Sequence, residues 1–314
     1  MSEGSAAIIA PTPSDLAPVL ERLHMPEAVQ ITRMAGGSDA VFRIDLADNG
    51  RINLKTYDEL RGKAPAREAR AAERLAQAGL PVTRYLLLDE SCETLPFRFA
   101  LTTHLPGMSL DALKGKADLT DAYRQMGALL RRVHNVPMPA YGPLGDDGVP
   151  GPHATNVAFI EHLSAAAFES FLFQGGDPAL TDRLRRAVSE NMDLARQSAG
   201  PVFAHDDFQP GNVLAEMNGD STTLTGIIDF GNARAADPLF DLAKAMFCTE
   251  HMAPGGAALL LEGYGPLDHS DPQRALWLYT LLHRVTMWFW LRRIGVIADG
   301  VHDPLIDDLR AMVA

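Results

Sequence analysis

Between residues 204 and 243 the chain reads A-H-D-D-F-Q-P-G-N-V-L, then a variable stretch, then I-I-D-F-G-N-A-R-A-A-D-P-L-F-D-L-A. No other stretch constrains the fold as tightly. The apolar Leu224, Ile227 and Ile228 read as a short strand. A strand that ends in Asp229-Phe230-Gly231 presents a carboxylate at a turn, facing a cleft. Upstream, His205, Asp207 and Asn212 form H-x-D-x-x-x-x-N. An Asp in a loop is usually a turn former, and a lone His is usually a hydrogen-bonded structural residue. For His205 that reading stands, with bracing of the loop as its expected job. For Asp207, Asn212 and Asp229 the joint occurrence, in this order, reverses it.

Phosphoryl transfer is mostly positioning plus charge neutralisation, so it needs few groups in a fixed geometry. Two carboxylates and an amide at this spacing supply them. Pro210-Gly211 before Asn212, then I-D-F-G-x-A and D-P-x-x-D-L-A, extend the pattern. The segment resembles the aminoglycoside phosphotransferase and choline kinase superfamily of small-molecule kinases. The resemblance is strongest over residues 200–245 and continues more weakly from about Gly36 onward. It implies an α+β, protein-kinase-like two-lobed fold. A small β-rich N-lobe is expected over residues 1–104 and a large, mainly helical C-lobe over 105–314. It further implies that Asp207 is the catalytic base or hydroxyl-orienting group. Asn212 and Asp229 are then the Mg²⁺ ligands and ATP the co-substrate, with GTP not excluded. One departure is Asp206, where this family usually has Gly; protein kinases put Arg there, so a side chain is sterically allowed, and the sequence leaves the effect of the extra carboxylate open. Asp237 and Asp241 read as bracing residues, and Asp237 before Pro238 makes a good helix start. No A-P-E follows Asp229-Phe230-Gly231, and residues 232–238 lead straight into the next motif. That leaves little platform for a peptide, which favours a small-molecule acceptor over a protein.

Composition narrows the remaining choices. A net charge of −12 argues against nucleic acid or an anionic membrane as the main partner. The two cysteines, Cys92 and Cys248, form no C-x-x-C, so a reducing, cytoplasmic compartment is expected. The N-terminus has Glu3 and no long apolar core, so no signal peptide is expected. Residues 275–291 are apolar but contain His283 and Arg284, and read as a buried amphipathic helix rather than a membrane span. No oligomeric state is legible.

Along the chain, a helix is expected over 14–23 with Ser14 as its cap, followed by strands over 29–34, 40–46 and 51–57. Asp48-Asn49-Gly50 is a hairpin signal. A helix over 66–78, closed by Gly79 and Pro81, precedes strands over 84–89 and 97–103. His104-Leu105-Pro106-Gly107 marks the break between lobes. Helices are expected over 119–136, 156–173, 177–197, 239–247, 256–264, 272–293 and 304–312.

These elements place a nucleotide site. Gly36-Gly37-Ser38 lies between two strands, where glycine lets backbone N–H groups approach phosphate oxygens. Lys55 lies on the following strand and Glu68 in the next helix. In protein kinases such a lysine holds the α- and β-phosphates and pairs with a helix glutamate. The resemblance points to Glu68 as the partner, with Glu73 second. It also places adenine against the backbone of Thr103, His104 and Leu105. For the acceptor, the expectation is a small cationic, hydroxylated, aminoglycoside-like molecule. Its basis is the net charge and the carboxylates Glu250, Glu262, Asp268, Asp271, Asp299, Asp303, Asp307 and Asp308. Ring faces of Tyr264, Trp288 and Trp290 offer a second route to a cation. A choline-, homoserine- or fructosamine-type metabolite, or an inactive nucleotide-binding module, is the alternative.

Overall fold

A computed structural model describes residues 10–34, 39–57, 65–219, 221–298 and 300–314. The chain divides into two compact units. The first holds the residues up to Gly107 together with Asp146–Gly148 and Thr225–Gly231, and the second holds the rest. The expected boundary was a single cut between residues 104 and 105; two later pieces of chain return to the first unit.

The first unit opens with α1 (Pro13–Arg22), β1 (Ala28–Arg33), β2 (Val41–Leu46), β3 (Arg51–Tyr57), α2 (Pro65–Gln77), β4 (Tyr85–Asp89) and β5 (Arg98–Thr103). The cap of α1 is Thr12, not Ser14. Its hydroxyl accepts from the Asp15 amide while Asp15 bonds back to the Thr12 amide. The strands form an antiparallel sheet in the order β1-β2-β3-β5-β4. The hairpin between β2 and β3 turns on Asn49, at φ +66°, with the Asp48 carboxylate accepting from the Gly50 amide at 2.8 Å. Leu16, Val19 and Leu20 of α1 pack with Phe42, Ile44, Ile52, Leu54, Phe99 and Leu101 on one face of the sheet. The period of two along β3 therefore puts Asn53 and Lys55 on the other face. Helix α2 buries Glu68, Ala71, Ala72 and Leu75, one stripe at helical spacing, and ends at Gly79, φ +73°.

The second unit begins with β6 (Met108–Ser109), α3 (Leu110–Leu113), α4 (Thr120–His134) and β7 (Gly142–Pro143). It continues with α5 (Asn156–Phe173), α6 (Pro178–Glu190), α7 (Met192–Arg196), β8 (Val202–Ala204) and β9 (Val213–Asn218). Strand β10 (Ser221–Ile227) leaves this unit at Leu224 and enters the first. The last elements are β11 (Arg234–Ala236), α8 (Pro238–Met252), α9 (Gly256–Tyr264), α10 (Pro272–Arg293) and α11 (Pro304–Met312). Helix α10 packs against α5, α8 and α11, with Leu278, Tyr279, Leu281, Leu282 and Val285 buried. Two small sheets, β10-β9-β6 and β7-β11-β8, flank the loop that follows β8. Among the described residues no helix is long and apolar enough to cross a membrane.

Candidate active site

In the first unit, the end of β10 brings Asp229 beside Lys55. The Ile227 amide donates to the Pro81 carbonyl at 2.9 Å and the Thr225 hydroxyl to the Pro106 carbonyl at 2.6 Å. Gly226 allows the approach, since a Cβ there would meet the Pro81 carbonyl at 3.0 Å and the Leu105 side chain at 2.5 Å. Asp229 itself stands at φ +65°, a strained conformation for a residue with a side chain.

Lys55 Nζ lies 2.6 Å from Glu68, 3.2 Å from Asp229 and 3.8 Å from Asp39. Burial alone would lower the lysine pKa, but Glu68 and Asp229 together raise it well above its ordinary value. Glu73 instead pairs with Arg70 at the surface, 2.8 Å apart. The Tyr57 and Tyr85 phenols, whose hydroxyls stand 3.2 Å from each other, lie near Glu68. Burial, then the negative charge of Glu68, raises the pKa of both phenols, so they remain donors. Lys55 and Glu68 thus come together with Asp229. Asp39 and the two tyrosines were missed from sequence. A period of two along β3 from Lys55 to Tyr57 is the signal that marks one of them.

The Thr103 amide is committed to the Arg84 carbonyl at 2.9 Å, and the Thr103 hydroxyl accepts from the Arg84 amide. The expected adenine contact therefore cannot use that N–H. His104 Nδ1 lies 3.1 Å from the Asn53 amide oxygen. Burial, with Arg51 and Arg43 nearby, lowers the His104 pKa. Leu105 is half-buried. Gly36, Gly37 and Ser38 lie outside the described residues.

In the second unit, the loop after β8 carries His205, Asp206 and Asp207 into a turn of 3-10 helix, Pro210–Asn212. The Asn212 side-chain amide donates to the Asp207 main-chain carbonyl at 2.9 Å and to its carboxylate at 3.0 Å. Both donations use the amide nitrogen, so the oxygen of Asn212 is the atom left to ligate a cation.

The loop is gripped from below by Asp241 of α8. Its carboxylate accepts from the His205 amide at 2.7 Å, the Asp206 amide at 2.8 Å and His134 Nε2 at 3.1 Å. His134 Nδ1 in turn meets the Tyr264 hydroxyl at 2.7 Å. Burial works against the Asp241 charge, but the bond from His134 and the loop amides hold its pKa below the ordinary carboxylate value. Asp237 caps α8 through the Leu239 amide at 2.7 Å. His205 is fully buried, its ring edge-on to Phe208 at 5.8 Å between centroids.

The effect of Asp206, open in the sequence, follows from its partners. Its carboxylate is buried and ion-paired to Arg234 at 2.6 Å, with Lys244 at 3.5 Å. Its charge is neutralised inside the unit rather than offered to phosphates.

The acidic residues of the last third are mostly occupied. Glu250 accepts from the Gly255 and Ala257 amides, Glu262 pairs with Arg124, Asp308 pairs with Arg284, and Asp271 and Asp303 cap helices. Asp307 meets His302 and Arg310, Asp268 is exposed, and Asp299 lies outside the described residues. Two of the three rings already face protein cations, with Arg131 3.9 Å over Tyr264 and Arg292 5.7 Å from Trp288.

The family model described as the phosphotransferase enzyme family matches residues 30–278. Solved structures of the same fold include a thermostable mutant of the aminoglycoside phosphotransferase APH(4)-Ia, in ternary complex with AMP-PNP and hygromycin B. It is 19% identical with a TM-score of 0.69, over 95% of this chain and 97% of that one. A Thermobifida fusca protein ascribed to fructosamine-3-kinase is 20% identical with a TM-score of 0.68, over 96% and 99%. A choline/ethanolamine kinase family protein from Mesorhizobium loti is 18% identical with a TM-score of 0.61, over 90% and 87%. No curated protein matches the chain. At these identities the structural likeness is one of fold, and the fold is kinase-like. The chain belongs to the phosphotransferase enzyme family. It is a small-molecule phosphotransferase.

Proposed function

We propose that this protein transfers the γ-phosphate of ATP to a hydroxyl of a small cationic molecule, with Asp207 orienting that hydroxyl. The observation that carries the reading is the convergence of Lys55, Glu68 and Asp229 at salt-bridge distance, the phosphate-handling set of kinases. Lys55 holds the α- and β-phosphates, and Glu68 holds Lys55. Main-chain groups at His104 and Leu105, with the carbonyl of Thr103, take the adenine. Gly36, Gly37 and Ser38, outside the described residues, are assigned to the phosphates from sequence.

Asp207 keeps one carboxylate oxygen on Asn212 and turns the other to the acceptor hydroxyl. There it aligns the oxygen in line with the γ-phosphate and takes its proton, a contribution of typically ~10²–10⁴-fold. The amide oxygen of Asn212 and the carboxylate of Asp229 are hard oxygen donors of the kind Mg²⁺ requires. When bound, the ion neutralises charge on the phosphates. Asp229 and Asn212 are the residues that would hold it.

Support for a cationic acceptor is the net charge of −12 and the hygromycin B bound by one structural relative. The fructosamine and choline/ethanolamine relatives favour a metabolite acceptor as the second reading. The inactive-module alternative is disfavoured because the described catalytic positions are all filled. Two free cysteines, Cys92 exposed and Cys248 buried, fit a cytoplasmic site of action.

The test is transfer of label from γ-labelled ATP, with Mg²⁺, to a panel of hygromycin B and other aminoglycosides, choline, ethanolamine, homoserine and fructosamines. Label in a cationic acceptor is the expected result. A neutral or anionic best acceptor contradicts the acceptor class. ATP binding without label in any acceptor or in water contradicts the reaction.

A further inference from the structure

Asp206 raises a question that the reaction leaves unanswered. It is a non-glycine residue at φ +52°, buried to 4% exposure, immediately before the acceptor-facing carboxylate. A left-handed conformation is disfavoured for most residues with a side chain, and a buried charge has to be paired. Glycine at this position would need neither.

The surroundings show what the side chain holds. Lys244 lies on α8, one helical turn beyond Asp241. Its ammonium donates to the Asp206 main-chain carbonyl and lies 3.5 Å from the Asp206 carboxylate. Asp241 accepts from the amide of the same residue at 2.8 Å. Helix α8 therefore grips residue 206 on both sides, amide and carbonyl. The carbonyl bonded by Lys244 belongs to the peptide that links Asp206 to Asp207, so that bond fixes the plane from which the Asp207 side chain departs.

The carboxylate of Asp206 keeps the buried ammonium in place and is itself tied to Arg234 of β11 at 2.6 Å. His283 of α10 also faces it, at 4.0 Å, with its other ring nitrogen on the Phe240 carbonyl. Cys248, one turn further along α8, is buried and neutral.

We infer that Lys244 is a positioning residue for phosphoryl transfer: it sets the Asp206–Asp207 peptide and so aims Asp207, and Asp206 is a charged residue because its carboxylate holds Lys244 there. This rests on the assignment of Asp207 as the acceptor-facing group.

The test uses Mg²⁺-ATP turnover with water as acceptor, which needs no knowledge of the natural one. Lys244→Met is expected to lower kcat on the order of 10²-fold, the scale of an ångström-size misplacement. KM for ATP changes less than kcat, because of the residues assigned to Mg²⁺-ATP only Asn212 lies in the second unit. Lys244→Arg, which keeps the charge and a donor, recovers most of kcat. Asp206→Gly accepts the left-handed φ without strain and still leaves the carbonyl for Lys244. It lowers kcat less than Lys244→Met, again with a smaller change in KM for ATP than in kcat.

Lys244→Met with wild-type kcat overturns the proposal. So does a loss in Lys244→Met that tracks only the unfolded fraction and that Lys244→Arg fails to rescue. Should Lys244→Met fail to fold, wild-type kcat in Asp206→Gly overturns it equally. A wild-type protein without Mg²⁺-dependent turnover removes the reaction and this proposal with it, whereas an active wild type matched by Lys244→Met removes this proposal alone.

Discussion

The ammonium of Lys55 stands within 4 Å of three carboxylates, at 2.6 Å from Glu68, 3.2 Å from Asp229 and 3.8 Å from Asp39. Glu68 is 3% exposed, so removing its partner strands a buried charge. Such a loss costs about 3–5 kcal/mol. Lys55→Ala is accordingly expected to lower urea-unfolding stability by that amount and to weaken ATP binding, while Glu68→Ala does the latter less severely. Lys55→Ala with unchanged stability and ATP affinity would remove Lys55 from the account. His283 makes a second prediction at this scale. Burial pushes its pKa down to about 4, and Asp206, Lys244 and Arg234 are the charged groups that face it. The unfolded chain binds a proton at this His below about pH 6.5, whereas the folded one stays neutral until about 4. Stability is therefore intact above about 6.5 and falls as pH drops through that window, by about 2–3 kcal/mol at pH 4.5 from this residue. Urea midpoints at pH 7 and 4.5 measure it. His283→Gln should lose that much less on acidification than the wild type, and an equal loss in both speaks against a neutral buried His283.

Helices α4 and α9 carry His134 and Tyr264, which support Asp241, and they cross closely because each contributes a glycine. A Cβ on Gly127 would lie 1.9 Å from the Leu260 carbonyl, and one on Gly263 would lie 1.9 Å from the Arg124 carbonyl. Backbone cannot retreat as a side chain does, so Gly263→Ala should cost at least the ~1–3 kcal/mol of ordinary overpacking. A melting temperature equal to wild type would show that the helices do not meet there. This crossing was invisible in the sequence, since glycine in a helix signals nothing about its neighbour. The helices themselves were legible where a cap and an apolar pattern agree, as in α5, α10 and α11, which begin and end where their patterns do. The expected single helix over 177–197 is two, α6 and α7. It breaks at Asn191, whose side chain takes the Ala187 carbonyl at 2.7 Å and whose backbone leaves the helical region at φ −112°, ψ 11°. Strands β6, β7, β8 and β11 have two or three residues each, too few for a period of two to register.

Across the whole molecule, the family model runs from residue 30 to 278, and both units take part in it. Lys55 and Glu68, and Asp207 and Asn212, lie in separate motifs of the sequence. The sequence did not show that Thr225–Gly231 folds with the first unit, because that depends on backbone bonds to Pro81 and Pro106, far away in sequence. Nor was the role of Asp206 legible, since its partners Arg234 and Lys244 lie 28 and 38 positions on, on β11 and α8. Conversely, Asp207 and Asn212 were legible because their five-residue spacing is local and the 3-10 turn between them preserves it. The central claim is that Asp207 serves the acceptor and not the nucleotide. Its most direct measurement is Asp207→Asn against wild type, with turnover of Mg²⁺-ATP and calorimetric Mg²⁺-ATP affinity read on the same preparation. The account predicts turnover lower by at least ~10²-fold with affinity nearly unchanged. Near-normal turnover in the mutant, or a loss of ATP affinity that accounts for the whole effect, would contradict it.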